Sequence, residues 1–295
     1  MNEPIPIKEM KKKLDENFPL LLKETFGILE SENLTLGGMR VVQDNKKEIK
    51  ELKDKVKNVE DEIEADIKEC RYHFSDENLI AMEEDLDAFK NNVFGEKLWT
   101  VRSSLRDMSN PELERYRDSF DNATPREIYV CVKEILNKSK EYVKEKFTKI
   151  DMRRVLKIED LQLDYLDDED LLLSGVIGLG IRSELLYRMY PKVFPIMTRR
   201  SLWGMYFFTN ADEFIIDENK DGRSRTSHQW NYEYPRFCFY ANHLTLLLEK
   251  KFQNYKIQMN QDLRYGYLNF MLVEYAKTKK KEIEKLYTWE YTGLN

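Results

Sequence analysis

The chain has 295 residues, with 48 Lys and Arg against 54 Asp and Glu, for a net charge of −6. Its 41% hydrophobic content can fill real cores, and 11 Gly with 8 Pro is about half of ordinary usage. These proportions exclude a collagen-like chain, a disulfide scaffold and a wholly disordered chain. They point to a mainly α-helical protein with at most a minor strand element.

No run reaches the roughly 18 apolar residues of a membrane span, and the opening residues lack the apolar centre of a signal peptide. Cys70, Cys131 and Cys238 are widely spaced and odd in number, so reduced buried thiols are expected. The resulting expectation is a cytoplasmic protein without membrane association.

Along the chain, Ile7, Met10, Leu14, Phe18 and Leu21 share one helical face, and Pro19 is expected to divide that segment into two short helices. Residues 44–74 carry a heptad-like stripe of Ile49, Leu52, Val56, Val59 and Ile63, continued by Ile67, Cys70 and Phe74. One helix of about seven turns is predicted there. Its partner is either the segment 76–108, as an antiparallel hairpin, or a second copy or another protein through residues 49–74. Ser75-Asp76-Glu77, Ser109-Asn110-Pro111-Glu112 and Thr124-Pro125-Arg126-Glu127 are three helix starts, the last a capping box.

Residues 158–170 hold seven acids, and the pattern changes near 148–158. A boundary there separates a helical domain at 1–150, with the long hairpin, from a second helical domain at 151–295. The second domain is expected to contain a glycine- and arginine-bearing hairpin, a polar loop at 209–236 with a short strand at Glu213–Ile216, and two long helices at 237–257 and 260–288.

Residues 171–211 carry Arg182, Arg188, Lys192, Arg199 and Arg200 against one acid, Glu184. A local cationic site is therefore compatible with an acidic chain. At its centre, Val176-Ile177-Gly178-Leu179-Gly180-Ile181-Arg182-Ser183 resembles the glycine turn of helix-hairpin-helix DNA-binding modules, across residues 171–195. The Tyr190-Pro191 and Phe194-Pro195 pairs resemble a sequence that follows such hairpins in some bacterial DNA-associated proteins. The resemblance implies that Gly178 and Gly180 expose backbone amides to one phosphate. Arg182 and Ser183 would reach the same phosphate, with Arg199 and Arg200 nearby. Glu184 stands where that family commonly has a small residue. The plain alternative is that Gly175, Gly178 and Gly180 let helices turn and pack. Tyr187, Tyr190, Trp203, Tyr206, Phe207 and Phe208 are either base-stacking surfaces or core.

Arg223–His228 and Arg236–His243 resemble the short Arg/His motif of HEPN ribonucleases. That resemblance implies His in proton transfer on a ribose hydroxyl and Arg on the phosphate, without metal. Asp217-Glu218-Asn219-Lys220-Asp221-Gly222 imitates half a calcium loop but has His228 where a bidentate Glu is needed. His228, Cys238 and His243 lack zinc-site spacing. No metal or cofactor is expected. The leading expectation is a nucleic-acid-associated protein, bacterial or from a mobile element, that binds DNA or RNA through phosphate, with catalysis left open and more expected absent than present. A protein-interaction module using 44–74 and a metal-independent ribonuclease using Arg236 and His243 are the alternatives.

Overall fold

The computed structural model describes residues 5–26, 46–166, 169–209, 214–217, 229–231 and 233–286. The fold is mainly α. In chain order the helices are α1 (Ile5–Phe26), α2 (Lys46–His73), α3 (Asp76–Ala81), α4 (Leu86–Ala88), α5 (Gly95–Lys97), α6 (Trp99–Arg106), α7 (Glu114–Asn122) and α8 (Pro125–Glu145). They continue as α9 (Leu179–Met189), α10 (Arg199–Phe208), α11 (Tyr234–Asn254), α12 (Arg264–Thr278) and α13 (Lys280–Leu286). Short strands β1 (Ile215–Asp217) and β2 (Gln229–Asn231) are the minor strand element. The rest of the expected polar loop, including the calcium-like run after Asp217 and the Arg223–His228 pair, lies outside the described residues.

The chain divides into two compact units, and the division is not the expected one at 148–158. One unit is Met1–Ala65, Arg199–Ile215 and Tyr240–Asn295; the other is Asp66–Thr198 and Ile216–Phe239. The acid-rich stretch near residue 158 therefore falls inside the second unit, where its Leu161, Leu163 and Leu166 are buried. It is not a linker between the expected 1–150 and 151–295 domains.

In the first unit α1 packs on α10 and α12, burying Ile7, Met10, Leu14, Phe18, Leu21 and Leu22. The helix runs unbroken through Pro19. Proline removes one backbone donor, but buried residues on both sides of it hold the rod together. Gly204 makes the α10–α12 crossing possible: a Cβ there would lie 2.4 Å from the Leu272 carbonyl oxygen. Phe208 packs on Tyr275 across the same crossing, with ring centroids 4.2 Å apart. The α2 stripe is filled by its own chain, with Leu52, Val56 and Ile63 buried. The Tyr267 hydroxyl donates to the Glu60 carboxylate. Further along the same stripe Phe74 meets the Phe89 ring at 6.3 Å and Glu69 pairs with Lys97 at 2.8 Å, so its C-terminal end does touch the segment 76–108.

That segment is not one helix. Ser75 caps α3 as its sequence demands, its hydroxyl accepting from Asn78 N–H. The chain then passes through α4, a π turn at Phe89–Phe94 and α5 before Leu98 turns extended. The π turn drives Lys90 inward, where its ammonium donates to the carbonyls of Asp121 at 3.2 Å and Ala123 at 2.8 Å, closing the C-terminus of α7. A cation there meets the negative end of the helix.

α8 is the central rod of the second unit, packed by α4, the π turn, α9 and the 3₁₀ turns at Asp164–Leu166 and Glu169–Leu171. Its start is the expected capping box: Thr124 Oγ1 accepts from Glu127 N–H, and the Glu127 carboxylate accepts from Thr124 N–H. Ile128, Val132, Ile135, Leu136 and Tyr142 form its buried stripe. The Tyr142 hydroxyl donates to the Leu161 carbonyl at 2.7 Å, tying the acid-rich segment down.

Candidate nucleic-acid interface

The glycine segment follows a tight turn, not a helix. Leu173 and Ile177 form an isolated antiparallel bridge, and Gly175 turns between them at φ 75°. A Cβ at Gly175 would also strike the Ser119 hydroxyl. Gly178 is the N-cap of α9, exposed, with open space around it and no side-chain cap on the helix. The helix start is thus open at Gly178, while a Cβ on Gly180 would sit 3.6 Å from the Met197 carbonyl.

The side chains expected beside that turn point inward. Ile181 through Arg188 are all buried. Arg182 is 1% exposed, with its guanidinium 5.8 Å from the centre of the Tyr234 ring. The Ser183 hydroxyl donates to the Gly180 carbonyl at 2.8 Å and accepts from Met197 N–H at 2.9 Å. Neither group is presented to a phosphate in solvent, which corrects the expectation for Arg182 and Ser183.

Glu184, the residue that departs from the helix-hairpin-helix pattern, has a fold-building task. Its two carboxylate oxygens accept from Trp99 N–H at 2.8 Å and Thr100 N–H at 2.9 Å, which closes the N-terminus of α6. It also pairs with Arg188, whose guanidinium reaches Asp66 as well. Burial pulls the Arg188 pKa down, but Glu184 and Asp66 outweigh it and the net shift is upward. The Cys70 thiol, on α2 in the same unit, is pushed up to about 12 by burial. A thiol this protonated is inert. Cys131 and Cys238 are also free and buried.

Arg199 and Arg200 open α10 and belong to the first unit, whereas Gly178, Gly180, Arg182 and Ser183 belong to the second. Of the aromatic candidates, Tyr187, Trp203 and Phe208 are core; Tyr190, Tyr206 and Phe207 are partly exposed. Arg236 and His243 both lie in α11, seven residues apart and so on one helical face about 10 Å apart along the axis. Cys238 is buried, and no cluster of His, Cys, Asp or Glu suited to a metal ion occurs among the described residues.

A different cationic surface emerges from the fold. Lys144, Lys146, Lys149, Arg153, Arg154 and Lys157 are all exposed, with only Glu145 and Asp151 as acids in the same stretch. They occupy the end of α8, the 3₁₀ turn Phe147–Lys149 and the irregular chain after it. Arg154 pairs with Asp151 at 3.3 Å, while Lys144, Lys146 and Lys149 enter no ion pair among the described residues. Beside them, Glu141, Glu145, Lys146, Gln162 and Asp164 line an open cleft of about 480 Å³. The signal was present in the sequence as a charge count, but the change of pattern there read as a domain boundary.

No protein-family model matches the chain, and no curated protein or solved structure is significantly similar to it.

Proposed function

We propose that this chain is a nucleic-acid-associated protein that holds the phosphate backbone of DNA or RNA through the cations of residues 144–157. The observation that supports this reading is six exposed Lys and Arg within fourteen residues of a chain whose net charge is −6. Long side chains on irregular backbone can follow a line of phosphates without reading bases. The glycine turn is not required, because Arg182 and Ser183 are consumed by the fold. Fluorescence anisotropy with labelled duplex DNA and single-stranded RNA tests the reading. Lys144→Glu, Lys149→Glu and Arg154→Glu combined should weaken binding at least tenfold while leaving the thermal transition in place. Unchanged affinity in that variant contradicts it.

A further inference from the structure

The second unit carries a complementary surface at the other end of α8. Glu77, Glu84, Asp85 and Asp87 on the α3–α4 segment are exposed, as are Glu127 and Glu134 on the first half of α8. Between them stand two large apolar side chains, Ile80 at 63% and Val130 at 54% exposure. The Lys133–Glu83 ion pair joins the two elements, and the Tyr129 hydroxyl donates to the Leu79 carbonyl at 2.9 Å. Val130 precedes Lys133 by one turn of α8, while Ile80 lies in α3 and Glu83 in the 3₁₀ turn Met82–Glu84 that follows it. Arg126 and Lys140 are the other cations here, and Lys140 is committed to Asp76. Asp85 and Glu127 also accept from the amides of Ala88 and Thr124, and around Ile80 and Val130 the exposed acids outnumber the cations.

The basic stretch mirrors it. Leu156 is 60% exposed and is flanked by Arg153, Arg154 and Lys157. Among the acids nearby, Asp151 pairs with Arg154, Glu145 and Glu159 are exposed, and the Asp160 carboxylate accepts from the amides of Leu156 and Lys157. One face thus offers exposed aliphatic side chains among acids, the other an exposed aliphatic side chain flanked in sequence by three cations. The helix α8 holds them apart, because Val130 and Lys144 are about 21 Å distant along a rigid rod. A single chain cannot bring its two faces together, whereas two chains can.

We propose that the occupant of the acidic Ile80–Val130 face is the basic 144–157 face of a second copy. Such a contact is head-to-tail, so it propagates into rings or short filaments rather than stopping at a two-fold dimer. Because it is carried by surface charge, salt weakens it. The same cations serve nucleic acid in the reading above, so polyanion and neighbouring copy compete for them, but self-association does not depend on that reading.

Sedimentation velocity tests it with the full chain. The wild type should sediment progressively faster as concentration rises at low salt and as a monomer at high salt. Glu77→Gln with Glu84→Gln and Ile80→Ser should be monomeric, as should Lys149→Gln with Arg154→Gln. Mixed in equal amounts, the two variants should give a one-to-one dimer and nothing larger, since each keeps one competent face. A wild type that stays monomeric at all concentrations overturns the proposal, and so does a mixture that does not associate. Anisotropy separates the two readings. The acid-face variant should bind nucleic acid as the wild type does, so loss of one activity does not entail loss of the other.

Discussion

The Glu184 carboxylate accepts from Arg188 Nε at 2.9 Å, one turn along α9, and both side chains are buried. The same carboxylate closes the N-terminus of α6, so a single acid joins two helices and balances a buried cation. Removing one partner of a buried pair leaves the other charge uncompensated. Glu184→Gln is expected to lower stability by about 3 kcal/mol in urea unfolding, with Arg188→Met similar in size. A loss below about 1 kcal/mol would place the pair with ordinary surface contacts.

Two glycines are expected to respond to different extents to the same substitution. Gly204→Ala places a methyl against the Leu272 carbonyl and must spread α10 from α12, at a cost of about 1–3 kcal/mol. Gly178→Ala meets nothing within 4 Å at φ −92°, a conformation open to any residue. Because Ala is a poorer N-cap than Gly, it should cost about 0.5–1 kcal/mol and no more. It should also leave nucleic-acid affinity unchanged, which separates the basic stretch from the glycine turn as the point of contact.

Cys70 gives the stability a defined alkaline slope. Its thiol stays protonated to about 12 in the fold, against an ordinary 9.0, because it is buried. Between those values the unfolded chain has lost a proton that the folded chain keeps. Stability therefore falls as pH rises from 9 towards 12 and is insensitive to this group below 9. The urea midpoint measured across pH 8 to 10 should decline less in Cys70→Ala than in the wild type. At pH 8 a thiol reagent should modify Cys70 only when the protein unfolds.

Features set by neighbours in sequence were legible without coordinates. The Thr124–Glu127 capping box, the Ser75 cap and the long helix of α2 depend on residues three or four positions apart. What failed depended on distant partners. Pro19 reads as a break, but packing against α12 carries the helix through it. The α2 stripe announces that it is buried without saying by what, and Tyr267 is far away in sequence. The arginines of 171–211 counted as surface charge, yet Arg182 lies over Tyr234 and Arg188 between Glu184 and Asp66. Composition cannot tell a cation on the surface from one paired inside. The stretch 144–157 was the reverse case, its charge visible and its exposure hidden.

The most direct measurement of the central claim is the salt dependence of nucleic-acid binding. Each phosphate contact contributes a slope of about −0.9 in log affinity against log salt on duplex DNA. The wild type is expected to show a slope of several units, and each of Lys144→Gln, Lys149→Gln and Arg154→Gln should reduce it by about one. A flat dependence, or a steep one that these three substitutions leave untouched, would contradict the account.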